Sequence, residues 1–355
     1  MNDMLLSVED LHVRFRTYAG LVHAVNGMTF NVRQGEIFGL VGESGCGKSV
    51  TGFAVVRMVP FPGEIARGRT EFQGEDLAQK SEAEMKDIRG RRIAMIFQDP
   101  SASLNPVFSI GNQVTRVIRQ HVSASRYEAR QLALKMFDAV GLPDPERAFR
   151  AYPHELSGGM QQRVMIAMAL SSGAELLIAD EPSTALDVTI QAQILDLIRD
   201  LQAETGMSVI FITHDLGVIA ELCHDVVVMY AGKVAETAPI RELFHNPRHP
   251  YTRGLLTSIP TLDSPLRVIK GAVPSLDNLP AGCRFENRCP HARDVCRTAP
   301  PPLVEVPGAL RGLLFCSRPR FLGNRIRAGE NGVINQRPGD TNANAAKRDM
   351  THPLL

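Results

Sequence analysis

The sequence has no uninterrupted apolar run long enough to cross a bilayer, which takes about 20 residues. The nearest approach, residues 164–179, is interrupted by serine, glycine and glutamate. Residues 1–10 include Asp3, Glu9 and Asp10 and lack the basic-then-apolar pattern of a signal peptide. We therefore expect the chain to stay in the cytoplasm, so that any role at a membrane comes through a partner.

A surplus of charge of either sign is also missing. The chain of 355 residues has 39 Lys and Arg against 38 Asp and Glu, a net charge of +1. Because binding to nucleic acid depends on a surplus of cations that neutralise phosphates, we expect no nucleic-acid partner. The sequence also shows no internal repeat and no long heptad run. Its length allows one large domain with a smaller appendage.

Short apolar stretches alternate with helical patterns through the first two thirds of the chain. This alternation predicts an α/β fold in which helices cover a mostly parallel sheet. The predicted strands are 5–15, 24–32, 36–41, 92–97, 176–179 and 208–213, and the predicted helices are 127–140, 190–202 and one that begins near residue 48.

Residues 42–49, Gly-Glu-Ser-Gly-Cys-Gly-Lys-Ser, fit the pattern G-x-x-x-x-G-K-[ST] between a predicted strand and a predicted helix. Backbone N–H groups of such a loop and the following helix N-terminus face phosphate oxygens. Lys48 would contact the β- and γ-phosphates, and the Ser49 hydroxyl would contact Mg²⁺. The predicted nucleotide-binding residues here are Gly42, Ser44, Gly45, Cys46, Gly47, Lys48, Ser49 and Val50, of which Cys46 is a small filler at a variable position.

Two further strands end in polar residues that suit hydrolysis. Asp180 and Glu181 follow the strand 176–179, and His214 follows the strand 208–213. Because the carboxyl ends of parallel strands share one edge of a sheet, these residues should lie beside the phosphate loop. We expect Asp180 to hold Mg²⁺, Glu181 to polarise the attacking water and His214 to hydrogen-bond a γ-phosphate oxygen.

Residues 156–163, Leu-Ser-Gly-Gly-Met-Gln-Gln-Arg, resemble the signature loop of ATP-binding-cassette (ABC) ATPases. The resemblance implies that Ser157, Gly158 and Gly159 contact a nucleotide held by an opposite subunit, with Asp187 at the dimer seam. It also implies that Gln98 senses Mg²⁺ and that Phe15 stacks on adenine. The implied catalytic residues are Lys48, Gln98, Glu181 and His214, and the implied Mg²⁺ ligands are Ser49, Gln98 and Asp180.

The same resemblance implies a domain layout. It places a P-loop NTPase fold of the ABC ATPase type in residues 1–237, with a mostly parallel sheet and an antiparallel β subdomain. A helical subdomain that carries the signature loop is expected at about residues 100–175. Residues 323–355 are polar, with little to bury, and are predicted to be a disordered tail.

From about residue 238 prolines become frequent and periodicity fades. Residues 245–252 and the cysteines that follow resemble the carboxyl-terminal extension of ATPases from dipeptide and oligopeptide importers, a group that includes nickel and glutathione systems. We predict a small domain at 238–322 organised by the cysteines. A [4Fe-4S] cluster is ranked before zinc because the spacing is not C-x₂-C, and unliganded thiols are the remaining alternative. The four cysteines are Cys283, Cys289, Cys296 and Cys316.

Taken together, the resemblance implies an ATP-hydrolysing subunit that couples ATP hydrolysis to peptide uptake from the cytoplasmic face of the inner membrane. The implied partners are a second ABC ATPase, two transmembrane permease subunits and an external solute-binding protein. A homologous second ATPase is ranked before an identical one, which remains the alternative. Helices of the permeases would dock near Gln98 and residues 101–110. Nickel, glutathione or another small solute is the alternative cargo. A soluble ABC ATPase acting on nucleic acid or ribosomes is the alternative class, disfavoured by the single cassette.

Overall fold

Two β-sheets, of four and six strands, form the centre of the protein. The structure is a computed structural model that describes residues 3–18, 20–183, 187–259 and 268–304. The predicted tail at 323–355 and Cys316 lie outside the described residues. The strands are β1 (Met4–Thr17), β2 (Gly20–Arg33), β3 (Ile37–Val41), β4 (Gly63–Phe72), β5 (Glu75–Asp76), β6 (Ile93–Ile96), β7 (Leu176–Asp180), β8 (Ser208–Thr213), β9 (Asp225–Tyr230) and β10 (Lys233–Pro239).

The six-stranded sheet has the order β10-β9-β3-β8-β7-β6 and is parallel except at β10. Its register pairs Val41 with Thr213, and Asp180 with Ile212. Because β3, β7 and β8 end within one residue of each other, the segments that follow them emerge side by side. The predicted mostly parallel sheet is confirmed, and its register places the candidate site at this edge.

Both faces of the six-stranded sheet are buried, as expected for parallel strands with long apolar runs. In β7, Leu177 and Ala179 belong to the core on one face, whereas Leu176 and Ile178 belong to the core on the other. The first core lies against the helices, and the second lies against the four-stranded sheet. Burial on both faces therefore fixes the strands that carry the candidate site.

The four-stranded sheet has the order β2-β1-β4-β5 and is antiparallel. It packs on the six-stranded sheet through shared apolar residues, among them Phe30 and Phe38, whose stacked rings lie 5.3 Å apart. This sheet confirms the predicted antiparallel β subdomain.

The described residues form twelve α-helices, most of which contribute buried side chains to the apolar core on one face of the six-stranded sheet. They are α1 (Lys48–Val55), α2 (Glu82–Ile88), α3 (Pro100–Ser103), α4 (Ile110–His121), α5 (Arg126–Ala139), α6 (Pro145–Arg150), α7 (Gly158–Leu170), α8 (Val188–Thr205), α9 (Leu216–Leu222), α10 (Ile240–His245), α11 (Pro250–Thr257) and α12 (Asp294–Thr298). Helices α3 to α7 lie within the predicted helical subdomain. None of the helices in the described ranges is long and apolar enough to cross a membrane.

Helix α5 shows how the helical subdomain packs. Its fully buried residues recur every fourth position, the spacing that lines up one face of a helix. They are Ala129, Ala133 and Phe137. The periodicity of the sequence predicts an apolar side made of Leu132, Leu134, Met136 and Phe137. Of these, Phe137 is fully buried, and the other three are partly buried because they flank the buried stripe.

The described part of the carboxyl-terminal region shares its core with the preceding residues. Leu243, Tyr251 and Phe285 all join the apolar cluster on the helical face of the six-stranded sheet. The predicted domain boundary at residues 237 and 238 stays a prediction. A shared core nevertheless means that this region contacts the strands and loops of the candidate site.

Candidate nucleotide-binding and hydrolysis site

The phosphate loop lies between β3 and α1 and is packed tightly against neighbouring backbone. A Cβ atom on Gly47, which has φ +102°, would lie 2.4 Å from the carbonyl oxygen of Ala24. A Cβ atom on Gly42 would lie 2.3 Å from the carbonyl oxygen of Met229. Both positions therefore require glycine, and the fold rather than a ligand holds the loop in shape.

Lys48 begins α1 and lies buried within the loop, with 4% of its surface exposed. Its Nζ donates hydrogen bonds to the carbonyl oxygens of Gly42, at 2.8 Å, and Glu43, at 3.3 Å. The nearest oxygen of Glu181 is 3.8 Å away. The ammonium group is thus held inside the loop mainly by carbonyl groups, in a position suited to phosphate oxygens.

Ser49 and Asp180 form a pair of oxygen donors beside the loop. The Ser49 hydroxyl donates to Oδ1 of Asp180 over 2.9 Å. Burial raises the pKa of Asp180 from 3.8 to about 6, and the hydrogen bond from Ser49 offsets part of that rise. Because a hydroxyl and a carboxylate are oxygen ligands of the kind Mg²⁺ prefers, these residues fit a Mg²⁺ site.

Glu181 lies at the centre of the candidate site. Its Oε2 accepts a hydrogen bond from Nε2 of Gln98 at 3.1 Å, and its Oε1 lies 3.2 Å from Nδ1 of His214. Its backbone adopts φ +46°, a strained conformation for a residue that is not glycine. The structure therefore brings four predicted residues together around one carboxylate: Lys48, Gln98, Glu181 and His214.

The segment that follows Gln98 is tied to the signature helix α7. The Ser101 hydroxyl donates to Oε1 of Gln161 over 2.8 Å. Gln161 is buried, and its Nε2 donates to the carbonyl oxygens of Pro153 and Leu156. Gln161 lies within the signature loop, but no local sequence pattern indicates this link. It connects the loop that contacts Glu181 with the helix that carries the signature.

The signature residues themselves lie on the surface. Ser157 caps α7 by accepting a hydrogen bond from the Met160 amide, and both Ser157 and Gly158 are exposed. Gly159 is half-buried, and a Cβ atom there would approach Ile190 of α8 at 3.1 Å. This exposure fits a contact with another subunit, which stays a prediction.

Asp187 is also exposed and caps α8, where its carboxylate accepts a hydrogen bond from the Ile190 amide over 2.9 Å. The loop residues between Ser183 and Asp187 lie outside the described residues. The seam role predicted for Asp187 therefore also stays a prediction.

Phe15, the predicted adenine-stacking residue, is half-buried on β1. A Cβ atom on Gly63 would lie 2.5 Å from its ring, so the ring lies directly over the Gly63 backbone. Tyr18, which lies close by in the sequence, is fully exposed. Stacking of Phe15 on adenine stays a prediction.

Four other predicted residues belong to the phosphate loop and α1. Cys46 is 1% exposed, and burial raises the pKa of its thiol, as expected for a small filler. Val50 is half-buried in the first turn of α1, whereas Ser44 and Gly45 are exposed at the open side of the loop.

The predicted iron–sulfur cluster is not supported. Within the described ranges, no three His, Cys, Asp or Glu side chains form a group that could hold a metal ion, although Cys283, Cys289 and Cys296 are all described. The same finding leaves the zinc alternative unsupported. Cys316 lies outside the described residues.

The chain matches the ABC transporter family over residues 25–184, and the oligopeptide/dipeptide transporter C-terminal region over residues 235–296. A probable peptide ABC transporter ATP-binding protein of Sinorhizobium fredii is 51% identical to it, over 86% of this chain and 92% of the relative. The oligopeptide transport ATP-binding protein OppD of Bacillus subtilis is 50% identical, over 85% of this chain and 86% of the relative.

Solved structures show the same fold. The dimeric structure of a bacterial ABC transporter cassette has a TM-score of 0.60 and 25% identity, and the match covers 67% of this chain and 99% of that one. The cbiO1 protein of Clostridium perfringens, part of an ABC transporter complex, has a TM-score of 0.59 and 27% identity, over 69% of this chain and 92% of that one. With these relatives and this site geometry, the chain belongs to the ATP-hydrolysing subunits of the ABC transporter family.

Proposed function

We propose that this chain hydrolyses ATP to drive the import of dipeptides or oligopeptides through a membrane transporter. Relatives of about 50% identity carry the names of peptide, oligopeptide and dipeptide transport ATP-binding proteins. The match to the oligopeptide/dipeptide transporter C-terminal region supports the same cargo from a second part of the chain.

In this proposal the phosphate loop binds the triphosphate. Loop amides and the N-terminus of α1 face the phosphate oxygens, and Lys48 adds its charge to the β- and γ-phosphates. Ser49, Asp180 and Gln98 hold Mg²⁺, which when bound neutralises charge on the β- and γ-phosphate oxygens. Phe15 stacks on the adenine.

The observation that carries the proposal is the environment of Glu181. A buried carboxylate held by Gln98 and His214 is suited to accept a proton from a water molecule. That water attacks the γ-phosphorus, the bond to the bridging oxygen breaks, and ADP and inorganic phosphate result. His214 is half-exposed at the mouth of the site, where its imidazole can orient the γ-phosphate and the water.

Two subunits complete the site between them. The exposed signature residues Ser157, Gly158 and Gly159 of one subunit contact the nucleotide on the phosphate loop of the other, and Asp187 lies at their seam. The amides at the start of α7 give this surface the same kind of phosphate-binding donors as the loop. Hydrolysis removes the γ-phosphate that joins the two halves, so the dimer opens.

The remaining partners follow from the transport function. Two permease subunits dock beside Gln98, where residues 101–110 expose Val107 and Phe108 to solvent. The second ATPase is a homologous subunit, a solute-binding protein delivers the peptide from outside, and no nucleic acid takes part. The chain then acts as a peripheral subunit at the cytoplasmic face of the inner membrane.

The direct test is Glu181→Gln, which keeps the shape of the side chain and removes its basicity. We expect ATP to bind within a few-fold of the normal affinity. Hydrolysis should fall at least about 100-fold, the contribution of a general base. Light scattering with Mg²⁺ and ATP should then detect a stable dimer, because the γ-phosphate is retained.

A matched control is Glu221→Gln, which alters an exposed acid paired with Arg199 on the surface. It should hydrolyse ATP at the normal rate. Unchanged hydrolysis in the Glu181 variant would show that another group activates the water. Failure of nucleotide to bring the subunits together would refute the shared site.

A further inference from the structure

Glu43, at a variable position of the phosphate loop, is bound through all of its polar groups. Its carboxylate accepts two hydrogen bonds from Arg288, at 2.6 and 3.0 Å. Its backbone amide donates to Oη of Tyr251 over 3.0 Å, and its carbonyl oxygen accepts a hydrogen bond from Lys48. Two residues of the carboxyl-terminal region therefore hold the same loop residue from its side chain and from its backbone.

Arg288 is itself held rigidly. Its side chain is 4% exposed, and its guanidinium group also donates to the carbonyl oxygens of Ile269 and Lys270, both at 3.3 Å. The guanidinium carbon lies 5.7 Å from the ring centroid of Tyr230. The hydrogen bonds to Glu43 are the largest cause of a rise in the pKa of Arg288 above its usual value, so the guanidinium group stays charged. A bidentate pair of this kind fixes orientation as well as charge.

Tyr251 has no exposed surface. Its ring lies 4.6 Å from that of Tyr230 and 5.5 Å from that of Phe285, measured between centroids. Burial raises the pKa of its hydroxyl, which is therefore neutral at physiological pH. A neutral oxygen fixed by its ring is a suitable acceptor for the Glu43 amide.

We propose that Arg288 and Tyr251 are positioning residues that hold the phosphate loop in the conformation that receives ATP. This inference rests on the proposed function, in which residues 42–49 bind the triphosphate. A carboxylate in a phosphate loop repels the ligand unless a cation neutralises it and holds it aside. Arg288 does both to Glu43, and Tyr251 fixes the direction of the adjoining backbone. The carboxyl-terminal region thereby contributes to nucleotide affinity without touching the nucleotide.

The test uses the full-length chain, with ATP binding measured by competition against a fluorescent ATP analogue and hydrolysis measured at steady state. Arg288→Gln leaves the Glu43 carboxylate unpaired beside the triphosphate. We expect the Kd and KM for ATP to rise about tenfold, as for loss of a charged hydrogen bond, with kcat within about twofold. Tyr251→Phe removes only the hydroxyl and should raise Kd about threefold.

The decisive variant is Glu43→Gln combined with Arg288→Gln. Removing the unpaired carboxylate should bring the Kd back to within about threefold of normal, because the remaining amide no longer repels phosphate. A residue needed only for folding would give a lower Tm and no such rescue. An unchanged Kd in Arg288→Gln, or a defect that Glu43→Gln leaves in place, would overturn the inference.

Two controls separate this inference from the proposed function. Arg297→Gln removes an exposed ion pair with Glu286 in the same region and should leave Kd unchanged. Lys48→Ala should abolish ATP binding. Equal binding by Lys48→Ala and the unaltered chain would refute the phosphate loop as the ATP site. Loss of binding in Lys48→Ala together with normal binding in Arg288→Gln would refute only the positioning role.

Discussion

Asp180→Asn should make the nucleotide-free protein more stable while abolishing Mg²⁺-dependent hydrolysis. The carboxyl is 1% exposed, and burial is the largest cause of its raised pKa. A rise from 3.8 to about 6 corresponds to about 3 kcal/mol of lost stability at neutral pH. Asparagine keeps the acceptor for the Ser49 hydroxyl and removes the buried charge. A gain of up to about 3 kcal/mol should raise Tm by about 5 °C.

The effect has a defined pH dependence. Below pH 3.8 the carboxyl is protonated in both the folded and the unfolded chain, so Asp180 does not lower the free energy of unfolding. Between pH 3.8 and about 6 the unfolded chain loses its proton first, and the cost to the folded state grows. Above about pH 6 the buried charge lowers the free energy of unfolding by its full amount. The advantage of Asp180→Asn should therefore shrink to about 1 kcal/mol at pH 4.5.

Thermal and urea unfolding without nucleotide, followed by circular dichroism at pH 7.5 and pH 4.5, would measure this difference. Asp138→Asn, which changes an exposed acid on α5, is the matched control and should leave stability unchanged at both pH values. The reasoning fails if Asp180→Asn is no more stable than the unaltered chain at pH 7.5. It also fails if the gain in stability is the same at both pH values.

Two further substitutions test the loop and the helical subdomain. Gly47→Ala should reduce ATP affinity more than tenfold in a binding assay, because its Cβ atom meets the Ala24 carbonyl oxygen at 2.4 Å. Gly173→Ala, at a similar positive φ with open space around it, should cost only about 1 kcal/mol and leave affinity unchanged. Phe137→Ala, at a fully buried position, should destabilise the chain by about 3–5 kcal/mol in urea unfolding. Normal affinity in Gly47→Ala, or normal stability in Phe137→Ala, would contradict the packing described.

Strands β3, β6, β7 and β8 of the six-stranded sheet were predictable because burial on both faces leaves continuous apolar runs in the sequence. Strands β9 and β10 of the same sheet were not predicted, although β9 is also a buried apolar run. Strand β4 (Gly63–Phe72) was not predicted, since half of its residues are exposed and its sequence is rich in charge. Helix α4 was also not predicted, although its apolar residues Ile110, Val114, Val117 and Ile118 have helical spacing among polar neighbours.

The candidate catalytic residues were predictable because each follows a strand whose register is set by burial. Glu181 and His214 thus meet although 33 positions separate them. The contact between Glu43 and Arg288 spans 245 positions, and no local pattern indicates it. Cysteine spacing suggested a cluster, but spacing alone does not determine whether side chains converge, and the described cysteines give no metal site.

The aromatic contacts among Tyr230, Tyr251 and Phe285 have a practical consequence for building chimeric transporters. Tyr230 ends the last parallel strand, whereas Tyr251 and Phe285 lie in the carboxyl-terminal region. An ATPase truncated before residue 240 would expose an apolar surface to water, and this exposure would favour aggregation. A chimera that exchanges the carboxyl-terminal region between related ATPases should therefore take Tyr230, Tyr251 and Phe285 from the same parent protein.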